Sequence, residues 1–138
     1  MTFFSQIPRL THAGTMAMLT AAIAKADEIG QPQCIVIVDA SGEVHGEIRM
    51  TGAKFLSRKS ALSKALTAAS TGSPSAEIPD AVRTGIGLAT GGNVTGLAGG
   101  LPIRLKGELV GGIGVGSGTG EQDIAVAMAA LSAVGATV

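Results

Sequence analysis

The sequence predicts one α+β domain, an α/β sandwich in which helices pack on the faces of an antiparallel sheet. Three observations carry this. Helix-like and strand-like stretches follow in the order α-β-β-α-(loop)-β-β-α. The strand-like stretches come in pairs joined by short Gly-containing links, which makes hairpins rather than crossovers. The chain is 138 residues long and 46% hydrophobic, so a single domain spanning 1–138 can bury its own core.

Residues 11–29 read as the first helix, with Thr11 as N-cap and Gly30 as the stop. His12, Met16, Leu19, Ile23 and Ala26 recur at helical spacing, which predicts one inward stripe with His12 at its start. Residues 33–38, QCIVIV, are an apolar run rich in β-branched residues, and Asp39-Ala40-Ser41-Gly42 is turn chemistry. Residues 43–50 alternate, with Val44, Gly46, Ile48 and Met50 on one face and Glu43, His45, Glu47 and Arg49 on the other.

Residues 53–70 read as the second helix. Phe55, Leu62, Leu66 and Ala69 form its apolar stripe; Ser57, Ala61, Lys64 and Ala68 form a small-residue face with one cation. Residues 72–100 are rich in Gly, Ser, Thr and Pro. They read as a long loop, either a lid or a plain connection, with a short helical piece around 77–87. Residues 101–105 and 108–116 form the second hairpin. Its Gly111, Gly112, Gly114 and Gly116 require another backbone or a ligand to pack closely there. Residues 121–134 read as the last helix, with Ile124, Met128 and Leu131 on one stripe.

Composition narrows the function. Lys+Arg and Asp+Glu are 10 each, so the net charge is zero, and the only aromatics are Phe3, Phe4 and Phe55. Neither a phosphate-binding footprint nor base-stacking rings are present, so no nucleic-acid partner is expected. Cys34 is the only cysteine, which excludes a disulfide framework, and in its apolar run it reads as an inert core thiol. The N-terminal residues do not resemble a signal peptide and no run is long enough to span a bilayer, so a cytoplasmic protein with no membrane partner is expected. Charged residues are only 14% and glycines number 21. That combination predicts close backbone packing and a homo-oligomer, since an uncharged surface otherwise invites uncontrolled association.

No G-x-G-x-x-G, Walker loop or G-x-S-x-G elbow can be completed. GVGSGTG, containing Gly114 and Ser117, either presents amides to an anion at the start of the last helix or is a plain turn. His12 and His45 are the candidate catalytic groups. At a helix N-terminus the dipole disfavours imidazolium, which keeps a ring nitrogen of His12 available as base or ligand. His12 and Met16 together are the soft axial ligands that haem iron uses. Arg49 and Lys64 (with Arg58 and Arg104) are candidates to meet propionates or another anion. His12, His45 and Glu47 are candidate metal ligands, and Glu43 could join them. Asp39 is either a carboxylate catalyst or a turn residue.

Three segments resemble the haem-degrading domain family (GlcG/HbpS-like) and the C-terminal domain of PduO-type proteins. They are IVIVDASGEVHGEIRMTGA, SALSKALTAA and GGLPIRLKGELVGGIGVGSGTGEQDIAVA, in the family's order over nearly the whole chain. The resemblance implies a sandwich with a sheet of about five strands, assembly into tetramers or octamers, and haem as cofactor. The chain departs from the pattern at Thr51, Gly116 and His45. The expected function is an oligomeric haem- or iron-binding protein, haem-degrading or redox-sensing. The alternatives are an enzyme on a small anionic catabolic intermediate, with His12 or His45 as acid–base and Arg49 or Lys64 holding the anion, or a non-catalytic oligomeric accessory protein.

Overall fold

The computed structural model describes residues 1–138. Helix α1 (His12–Glu28) starts where the sequence places it: the Thr11 hydroxyl accepts the Gly14 N–H at 3.1 Å. Gly30, at φ +70°, ends it. Strands β1 (Cys34–Asp39) and β2 (Val44–Arg49) form the first hairpin, and β3 (Gly100–Leu105) and β4 (Glu108–Gly116) the second. Helix α2 (Ser57–Thr71) begins four residues later than the sequence suggests, because residues 54–59 first run through 3-10-type turns. In 72–100, 3-10 turns at Ser75–Glu77 and Asp80–Val82 lead into α3 (Arg83–Ala89). Helix α4 (Gly120–Ala133) opens on a capping box between Thr119 and Gln122. No helix is long and apolar enough to cross a membrane.

The sheet has four strands, not five, in the order β2-β1-β4-β3, all antiparallel. Side-chain alternation divides it into two faces. Ile35, Ile37, Leu101, Ile103, Ile113 and Val115 point to α1 and α4 and form the larger core cluster. Cys34, Val36 and Val38 point the other way, against Ala61, Ala65 and Ala69 of α2.

The helix faces correct the stripes expected from the sequence. On α1 the inward residues are Thr15, Met18, Leu19, Ala22 and Ala26, so His12 and Met16 lie outside the core, Met16 being 60% exposed. On α4 the inward set is Asp123, Val126, Ala127, Ala130 and Leu131, and Ile124 and Met128 face out. On α2 the small-residue face is the buried one, while Leu62 and Leu66 are half-buried. On α2 the alanine face lets the helix backbone approach the sheet, and the larger side chains stand off at the flanks. On α1 and α4 alanine fits either side of the helix, and the buried face is the one that brings Met18, Leu19, Val126 and Leu131 together in the larger core cluster.

The glycines of β4 show how close that approach is. A Cβ on Gly112 would run into the Ala65 carbonyl and the Ala69 amide, and one on Gly114 into Ala61 and Ala65 backbone. Gly116 faces the Ser57 carbonyl in the same way. The packing partner demanded by the glycine strand is therefore the α2 backbone. Gly114→Ala should destabilise the protein by about 3 kcal/mol or more, because backbone cannot move aside as a flexible side chain can. Gly85→Ala, on exposed α3 with open space around it, should gain up to about 1 kcal/mol from helix propensity. Urea unfolding of the two variants checks both signs.

Candidate functional site

The predicted site residues separate to opposite ends of the sheet. At one end, β1 and β2 carry a bulge: Ile37 pairs with Gly46 but Val38 with Val44, leaving His45 unpaired. The extra residue turns His45 toward α1, where its Nδ1 and the Thr15 hydroxyl share a hydrogen bond of 2.6 Å. Thr15 is buried on α1, one turn after His12. In the tautomer that donates Nδ1–H to the hydroxyl, Nε2 carries a lone pair and the imidazole is held as metal-ligating rings usually are.

His45 lines a cleft of about 470 Å3 together with Ile7, Pro8, Leu10 and Val110, with Arg9 supplying a cation and Asp39 a carboxylate. Asp39 is also a turn residue, since its Oδ1 accepts from Ser41 N at 2.9 Å, Ser41 Oγ at 2.8 Å and Glu43 N at 3.1 Å. The Ser41 hydroxyl, more than any other neighbour, holds the Asp39 carboxyl below the usual aspartate range, with the two amides and His45 adding to it.

Glu47 does not join His45. It faces α2, where it pairs with Arg58 at 3.0 Å, while His45 faces α1. The alternation that would put Glu43, His45 and Glu47 on one face is broken by the bulge, and no three His, Cys, Asp or Glu side chains come together. Arg49 is exposed on the edge strand.

At the other end the structure gathers Lys64, Ser117 and Asp123. Lys64 is 5% exposed; its Nζ donates to Val115 O at 2.7 Å and to Asp123 Oδ2 at 3.0 Å. The pair joins α2 to α4 past the end of the sheet. Gly99, at φ +121°, leaves the room for it, since a Cβ there would lie 3.2 Å from Nζ and 2.9 Å from the Asp123 side chain. Asp123 Oδ1 also accepts the Gly118 N–H at 3.0 Å. The Ser117 hydroxyl accepts from Lys54 N at 2.8 Å and donates to Ser57 Oγ at 3.0 Å. Gly114 is covered by α2 and has no open face. Cys34 is fully buried, and that burial pushes its thiol up.

Thr15 and Arg9 carried no signal of their own in the sequence, and Ser57 only a place on the small-residue face of α2. Asp123 reads there as an ordinary first-turn acid of a helix. The one available hint was Lys64, a cation on a small-residue face and so ill suited to be a plain surface charge.

A four-stranded antiparallel sheet with helices packed on both faces defines the class of fold. Residues 10–132 match the family described as haem degrading protein HbpS-like, and the chain belongs to that family. It is 37% identical over 131 residues to an uncharacterized 15.0 kDa protein in the dhaT-dhaS intergenic region of Citrobacter freundii, covering 91% of this chain and 92% of that one. It is 34% identical over 119 residues to corrinoid adenosyltransferase PduO of Citrobacter freundii, covering 83% of this chain but spanning only 36% of that protein. Among solved structures, protein ORFY of Klebsiella pneumoniae superposes with a TM-score of 0.93 at 31% identity, covering 100% of this chain and 99% of that one. The PduOC:haem complex superposes with a TM-score of 0.88 at 29% identity, covering 94% and 98%.

Two predictions follow from these geometries. Lys64→Met leaves Asp123 buried without its counter-charge and should cost about 3–5 kcal/mol; the double variant Lys64→Met/Asp123→Leu should recover part of this. Equilibrium unfolding of both measures the difference. For Asp39 the folded carboxyl binds its proton more weakly than the unfolded one, so its contribution is complete above the ordinary value of about 3.9 and is lost as pH falls through the depressed value. Between about pH 6 and pH 3 the wild type should therefore lose more stability than Asp39→Asn.

Proposed function

We propose that the protein is an oligomeric haem-binding member of its family, taking haem at the end of the sheet where α1 and the bulged β2 present His12 and His45. The observation that carries this reading is the tethered imidazole of His45, fixed by Thr15 beside a cleft with apolar walls. The cleft suits one edge of a flat macrocycle, with Arg9 placed for a propionate. His12 and Met16 stand outside the core on the same helix and are available as further ligands. Bound haem would supply redox and oxygen chemistry; the chain would hold the iron through a histidine nitrogen and the ring through the apolar side chains of the cleft. The haem complex of the similar PduOC supports the choice of ligand.

The oligomer is supported by the surface. All three aromatic residues are exposed, Phe3 by 84%, Phe4 by 93% and Phe55 by 68%. Met16, Ile124 and Met128 face outward as well. A low-charge chain with such side chains is stabilised by covering them with further copies. Tetramers or octamers are the expected states.

Haem titration followed by the Soret band, combined with light scattering, tests the reading. Saturable binding should disappear or weaken by about tenfold or more in His45→Ala or in His12→Ala, as expected for loss of an axial bond. The variant that loses binding identifies the ligand. A wild-type spectrum that matches free haem, or a Soret shift unchanged in both variants and in the double variant, would overturn it.

A further inference from the structure

A second cleft lies at the far end of the sheet from His45. β1 and β4 pair from Cys34↔Gly116 at one end to Asp39↔Gly111 at the other, about 16 Å at the usual rise per residue. At the Gly116 end a cleft of about 450 Å3 is lined by Lys54, Ser57, Lys64, Ser117, Gly118 and Asp123, among others.

Its polar groups are mostly donors, and several have no acceptor. The Lys64 ammonium has three N–H groups. Two are taken by Val115 O and Asp123, and the third is unpartnered although the side chain is only 6% exposed. Ser57 Oγ accepts from Ser117 Oγ, which itself accepts from Lys54 N. The Ser57 O–H is therefore the free end of a hydrogen-bond chain, and each bond in such a chain strengthens the next donor. Lys54 lines the cleft and takes part in no ion pair. Against these two cations stands one carboxylate, Asp123, with one oxygen held by Lys64 and the other by Gly118 N. One positive charge is left over.

We propose that this cleft binds a small monocarboxylate, its carboxylate taken by the Lys64 ammonium and the Ser57 hydroxyl with Lys54 nearby. The surplus of one positive charge matches a monoanion, and the buried Lys64 ammonium beside the half-buried Ser57 hydroxyl matches a planar pair of oxygens. The site is separate from the histidine end, so it stands whether or not haem binds there.

Titration of the full chain with acetate, lactate and pyruvate at constant ionic strength tests the proposal, read by amide NMR shifts and calorimetry. At least one of the three should bind saturably, with shifts concentrated in residues 54–64 and 117–123. Ser57→Ala and Lys54→Met leave the Lys64–Asp123 pair in place and should each weaken binding by about tenfold, the effect of losing one donor to a charged acceptor. Lys25→Met, which removes a distant surface charge, should leave the dissociation constant unchanged. Shifts that fail to saturate for all three anions, or a dissociation constant unchanged in both cleft variants, would overturn the proposal.

Discussion

The backbone of α2 lies directly on the backbone of β4, and much of the molecule is arranged around that contact. Gly112, Gly114 and Gly116 remove the side chains that would hold helix and strand apart, and Ala61, Ala65 and Ala69 fill the opposing face. Glycine in a strand interior is normally unfavourable, since it brings entropy cost and no side chain to pack. Here the cost is offset by close contact along a whole helix. The same closeness brings Lys64, one turn on from Ala61, to the end of β4, where it can reach the Val115 carbonyl and Asp123. A larger residue on β4 would push α2 outward and pull that ammonium from its partners.

The two ends of the sheet then differ in kind. At one, a bulge in β2 frees His45 from the ladder and a buried threonine fixes its ring. At the other, a hydrogen-bond chain from Lys54 through Ser117 to Ser57 ties the start of α2 to the β4–α4 turn. Ser117 accepts φ 95° to make it, a conformation that few non-glycine residues adopt. The first end offers a fixed imidazole in a cleft partly walled by apolar side chains; the second offers ammonium and hydroxyl donors with surplus positive charge. Each suits a different ligand chemistry.

Much of this was legible in the residues. The element order, the hairpins, the Thr11 and Gly30 boundaries of α1 and the demand of Gly112, Gly114 and Gly116 for a close neighbour all follow from local chemistry. The inward faces of α1 and α4 did not, because alanine fits either side of a helix and only the packing decides which side is covered. His45 was placed with Glu47 because strict alternation assumes an unbroken register, and nothing in EVHGEIRM announces the bulge. The partnership of Lys64 with Asp123 joins residues 59 apart in sequence. Only the fold brings them together, although a lysine on a small-residue face is already ill suited to be a plain surface charge.

Haem at the histidine end and a small anion at the Lys64 end would occupy two separate sites. A crystal structure of the protein grown with haem tests this most directly. Iron within bonding distance of a His45 or His12 nitrogen, with the Lys64–Asp123 pair intact, is the predicted result. Haem seated between Lys54, Ser57 and Ser117, or iron held by neither histidine, would contradict it.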